Sequence, residues 1–191
     1  MELEINPHEL ILIGENSFVR LSGDGGQTVS SRCSHWRVLW SPAGAGHAMF
    51  IESPLTGGQP RIYADNAGVA RFLQRTIEVM LHKPFADDSL PIIDAVFERT
   101  GNSLSTVYER VQSSEDELVL GWWDLMSPFI LTMPPGAMDR PLGVYSTFLP
   151  ARGAQLTVNG ETSPAKVFPQ ERSGKPSSSC VLAWSESWTR P

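Results

Sequence analysis

Three groups able to carry a proton lie among indole rings in this chain: His35 in CSHWRVLW, Asp124 in LVLGWWDLM and Glu186 in AWSESW. A carboxylate walled by indole loses hydration, so its pKa climbs toward neutrality and it becomes a competent general acid or base. A histidine facing it completes an acid and base pair; His35 with Asp124 is the expected pair, and Glu186 is the second candidate catalytic carboxylate. Such a site suits isomerisation, elimination, hydration or cyclisation of a small apolar or aromatic molecule without a cofactor. Plainer roles stand beside each: Asp124 capping the turn at Ser127 and Pro128, Glu186 partnering an arginine, His35 as a structural imidazole.

The expected wall of the site is aromatic. Trp36 and Trp40 are four apart, as are Trp184 and Trp188. On a strand that spacing keeps both rings on one face, about 13 Å apart, with Glu186 between the second pair. Trp122 and Trp123 are neighbours and point to opposite faces, so alternation groups Leu118, Leu120, Trp122 and Asp124 against Val119, Gly121, Trp123 and Leu125. If the apolar second set packs under a helix, the Trp122 and Asp124 face encloses the cavity. Tyr108 and Tyr145 add hydroxyls to the wall, and Arg37 and Arg110 either meet a polar part of the ligand or pair with Glu109, Glu186 or Asp124.

The elements that must position these groups are mostly strands. Alternating segments run from Glu9 to Leu21 around the turn-prone Gly14-Glu-Asn-Ser, from Thr28 to Pro42, from His47 to Glu52, and then one after another from Ala95 to Trp188. Turn residues punctuate them, best of all Asn159-Gly160, a pair suited to the positive φ angles of a type I′ hairpin. One amphipathic helix is expected over about 65–83, with Val69, Phe72, Leu73, Ile77, Met80 and Leu81 as its apolar stripe and Arg71, Gln74, Arg75 and Glu78 facing water. The Ser-rich stretch 171–179 reads as a surface loop. The fold class is therefore mainly β: an antiparallel meander closing into a barrel-like sheet with one helix, in a single domain over 1–191. An α+β open sheet backed by the helix is the alternative. In general shape the Trp-bearing strands around a cavity resemble the calycin group of lipocalin-like barrels, although the Gly-x-Trp signature of that group is missing. A resemblance of shape implies no function.

With 41 % hydrophobic and 19 % charged residues the chain has the composition of a globular protein rather than a disordered one. A net charge of -6 with scattered basic residues argues against a nucleic-acid or membrane-surface partner. The N-terminus, Met1 to Pro7, does not read as an export signal, and the two cysteines, Cys33 and Cys180, read as buried thiols, so the expected compartment is the cytoplasm. No phosphate loop, dinucleotide fingerprint, zinc-protease helix or nucleophile elbow is present, and no metal or cofactor is expected. Any edge strands leave room for homo-oligomerisation. Three function classes remain: a cofactor-free acid and base enzyme, a small-molecule carrier, or an interaction subunit whose barrel is filled by its own side chains.

Overall fold

The computed structural model describes residues 8–191; the reading of Met1 to Pro7 falls outside them. Thirteen strands form among the described residues: β1 (Glu9–Leu21), β2 (Ser31–Trp40), β3 (Gly46–Glu52), β4 (Arg61–Ala64), β5 (Ile92–Asn102), β6 (Thr106–Ser113), β7 (Glu117–Leu125), β8 (Phe129–Met133), β9 (Gly143–Val158), β10 (Glu161–Thr162), β11 (Pro169–Arg172), β12 (Lys175–Ser178) and β13 (Cys180–Arg190). Nine of them close into a barrel in the order β1-β2-β3-β4-β5-β6-β7-β9-β13. All neighbours are antiparallel except β4 and β5, which run parallel. β8 continues the line of β7 along β9, and β11 and β12 make a separate hairpin where a loop was expected at 171–179.

A parallel pair needs a crossover, and here it is the helix. α1 (Ala67–Leu73) passes through a π-helical turn (Gln74–Glu78) into α2 (Val79–Leu81). Asn66 caps it, its side chain accepting from the Gly68 and Val69 amides. Val69, Ala70, Leu73 and Ile77 pack on Trp36, Ala48, Phe50 and Ile62 from the outer face of the barrel. Gln74 and Glu78 are buried rather than facing water. The wider π turn adds a residue to the register, and both side chains find partners beneath: Gln74 donates to the Phe85 and Asp87 carbonyls, and Glu78 accepts from the Trp36 indole.

Inside the ring, Met49, Ile51, Tyr63, Val107, Leu118, Leu120, Trp122, Leu156 and Leu182 pack into a second core. The Trp122 face points inward, but it is packed and not an open cavity; the Trp122 N–H donates to the Phe18 carbonyl at 3.2 Å. The opposite face of β7 does not lie under the helix, and its Trp123 is partly open to solvent. Gly14-Glu-Asn-Ser is not a turn: β1 runs straight through it, and Gly14 lies so close to β2 that a Cβ there would sit 2.4 Å from the Arg37 carbonyl oxygen.

One irregularity decides which side of the wall Glu186 occupies. The pairing of β13 with β9 slips by one residue between Trp184 and Ser187, and Ser185 has φ +52°. This bulge inverts the alternation, so Trp184 packs toward the barrel interior while Glu186 and Trp188 emerge on the outer side. Ser185 is exposed and its conformation is costly for a residue with a Cβ. Ser185→Gly is expected to keep its stability within about 1 kcal/mol, whereas Ser185→Val should lose about 1–2 kcal/mol in chemical denaturation. Equal stabilities would mean that the bulge is not held in the left-handed conformation.

Candidate functional site

On the outer side of the barrel a cleft of about 250 Å³ opens between the helix, the β8 and β9 ladder and the β11 and β12 hairpin. Its floor comes from alternate residues of three neighbouring strands: Phe18 and Arg20 on β1, Arg32 and Ser34 on β2, Glu186 and Trp188 on β13. The helix and the turn after it contribute Glu78, Leu81, His82 and Phe85, and Leu131, Val144 and Phe148 form the opposite wall. Arg140 enters from the connection between β8 and β9, and Arg172 from the hairpin.

Two carboxyl groups are buried here. Burial pushes Glu186 up to about 8, although the Trp188 indole and the Ser146 hydroxyl favour its charged form and the nearby Glu78 opposes it. Its Oε1 accepts from the Trp188 N–H at 2.6 Å. Burial also raises Glu78, but Ser34, Trp36, Arg20 and Arg32 all favour its ionised form. Both acids are therefore held above the ordinary carboxylate range by burial, and at Glu78 the charges of Arg20 and Arg32 offset part of that effect. His82 is fixed at the rim by Glu52, its Nε2 lying 2.5 Å from Oε2, and packs edge-on against Phe85.

The guanidinium groups are poorly solvated. Burial first, and then the charges of Arg32, Arg172 and Arg140, lower Arg20 to about 10 against the opposing charge of Glu78. Arg32 and Arg172 are lowered by burial too. Arg20 lies over the Phe18 ring at 4.9 Å, and Arg172 over Phe18 at 5.4 Å and Phe148 at 5.8 Å.

Of the expected site residues, Glu186 and its neighbour Trp188 line this cleft. Asp124 stands at the surface with its side chain 60 % exposed, 3.3 Å from Arg152. Its φ of +50° breaks the strand alternation that would have turned it inward. His35 is inside the barrel, so the expected pair with Asp124 does not form. Burial lowers the His35 pKa to about 3, so the ring is neutral at ordinary pH. The nearest carboxylate to His35 is Glu109, at 3.8 Å, in a second pocket, also of about 250 Å³, with Arg37, His47, Phe97 and Arg99. Glu109 is held by Arg99, which also reaches Glu15 at 2.7 Å.

The expected aromatic wall is dispersed. Trp36 lies under the helix and Trp122 in the inner core. Trp184 packs against that same inner core. Trp40 and Tyr108 are exposed. Tyr145 is half-buried between Val144 and Ser146, on the face of β9 turned from the cleft. Arg37 approaches Glu15 at 3.7 Å, and Arg110 pairs with Glu117. Sequence reasoning passed over Glu78, His82, Arg20, Arg32, Arg140 and Arg172. A signal existed for some of them: Arg32 and Ser34 share the Trp36 face of β2, and Glu78 lies four residues after Gln74 beside the apolar stripe.

Among the described residues no group of three or more His, Cys, Asp or Glu side chains could hold a metal ion, and no helix is long and apolar enough to cross a membrane. Protein-family models, curated proteins and solved structures contain no match to this chain.

The raised pKa of Glu186 has a thermodynamic signature. The folded protein keeps this proton up to about pH 8, whereas the unfolded chain releases it above about 4.5, so the group lowers stability progressively as pH rises across that interval. Glu186→Gln should therefore leave the melting temperature near its wild-type value at pH 4.5 and raise it by roughly 5 °C or more at pH 8. A gain of the same size at both pH values would show that the carboxyl titrates normally.

Proposed function

We propose that this protein is a cofactor-independent enzyme that transfers protons on a small molecule bound in the outer cleft, with Glu186 as the general acid. The observation that carries the reading is a protonated carboxyl at the floor of an aromatic and apolar cleft, its proton retained to about pH 8 by burial. A group with that affinity donates a proton readily at neutral pH, where an ordinary glutamate has none to give. Glu78, raised by burial but offset in part by Arg20 and Arg32, lines the same cleft and is the second carboxyl available there to exchange a proton. Phe18, Leu131 and Phe148 give the substrate an apolar seat, and the volume limits it to a small molecule. Isomerisation and cyclisation proceed by such proton transfers without a cofactor, hydration takes up water as co-reactant, and elimination releases its leaving group with the proton the acid supplies. Two buried free thiols, Cys33 and Cys180, suit a reducing, cytoplasmic setting.

Trp188 borders the cleft, so ligands that enter it should change tryptophan emission. Binders found in this way, incubated with the protein in deuterated water and followed by proton NMR, are expected to exchange or rearrange at a carbon centre. Turnover that depends on protonated Glu186 falls as pH rises through about 8. Glu186→Gln should retain binding and lose at least about 100-fold in rate. Saturable binding with no turnover of any binder would make the protein a carrier, and an unchanged rate in Glu186→Gln would remove the group from the mechanism.

A further inference from the structure

The arginines of the cleft differ from the rest. Every other arginine among the described residues pairs with a carboxylate or, in the case of Arg71, donates to Gln74 and the Leu90 carbonyl. Arg20, Arg32, Arg140 and Arg172 line one cavity, and none of them forms a salt bridge. Arg172 donates only to Gln170, and its Nε is buried without an acceptor. Such an arrangement is unfavourable in an empty site: guanidinium groups that have lost water repel one another with little to offset them. The carboxyls nearby do not balance them. Burial pushes Glu186 up to about 8 and raises Glu78 as well, Glu52, which acts on Arg32, is engaged by His82, and Glu171, also lining the cleft, is exposed and unpaired.

We propose that the cleft is built for a ligand that joins an oxyanion, carboxylate or phosphate, to a small apolar body, with Arg20, Arg32 and Arg172 gripping the anion and Arg140 closing over it. Guanidinium forks match the oxygen geometry of both groups and make charge-assisted hydrogen bonds that are stronger than neutral ones. Phe18 and Phe148, already stacked with Arg20 and Arg172, set the apolar body beside the anion. The anion supplies the missing counter-charge and orients the body over Glu186. This names the substrate class of the proposed enzyme and uses the same cleft, but it does not depend on turnover.

The test uses the full chain and four probes: inorganic phosphate, phenyl phosphate, phenylacetate and the neutral benzyl alcohol, each against sodium chloride at matched ionic strength. Phenyl phosphate or phenylacetate should bind by calorimetry and raise the melting temperature, and inorganic phosphate should compete; benzyl alcohol should bind at least about tenfold more weakly. Arg172→Gln and Arg140→Gln should each weaken the anionic probe about tenfold or more, while Arg110→Gln, outside the cleft, leaves it unchanged. Arg140 lies in the connection between β8 and β9, outside any strand, so its variant provides the test if Arg172→Gln does not fold. Equal affinity of the neutral and anionic probes, or anion binding unaffected in both variants as for an adventitious ion only, overturns the inference. Tight anion binding without turnover of any binder overturns the enzymatic reading alone, and turnover of neutral molecules without anion preference overturns this one alone.

Discussion

Closing a ring of nine strands is the constraint from which the rest follows. Antiparallel neighbours alternate in direction, so an odd ring must contain one parallel pair, and here it is β4 with β5. Two adjacent parallel strands cannot be joined by a tight turn; the chain must leave one end of the barrel and return at the other. That return is the helix, and it has to lie on the outside because Met49, Tyr63, Trp122 and their neighbours already occupy the inside. The molecule thereby acquires two cores on either side of one wall.

Each strand of the shared wall serves both cores. On β2, Cys33 and His35 look inward while Ser34, Trp36 and Val38 look outward, and polar groups are buried on both sides. Inside, His35 stays neutral beside a Glu109 held by Arg99. Outside, the helix is tied to the wall by the hydrogen bond from Trp36 to Glu78, at 2.6 Å, with Trp36 itself leaning on Trp188. The helix does not cover the whole outer face. Where it ends, the β8 and β9 ladder and the β11 and β12 hairpin rise on the far side, and the space left between them is the cleft.

Charge in that space is arranged against stability. A buried carboxyl that holds its proton, a second that is only partly compensated, and arginines without a carboxylate partner all raise the free energy of the folded chain. Packing pressure alone would replace them with apolar residues. Their presence beside Phe18 and Phe148 fits a site whose polar groups are completed by what binds there.

Local pattern was enough for much of this. The spacing of apolar residues and turn residues marked most of the strands, the single helix and the Asn159-Gly160 hairpin, whose two residues do have positive φ. It also marked Glu186 as a carboxylate embedded in indole, and Trp188 is indeed its donor. These features depend on neighbours in the chain, which is what a sequence records. Which side of the wall Glu186 occupies was decided by one extra residue at Ser185, because a bulge inverts alternation and nothing in the residue types of AWSESW announces it. Asp124 was displaced in the same way by its own left-handed backbone. The ring of arginines comes from β1, β2, the connection after β8 and the hairpin before β13, brought together only when the barrel closes. Convergence across such distances is a property of the ring and not of any segment, so tertiary structure alone could place the cleft outside a barrel that the sequence suggested was hollow.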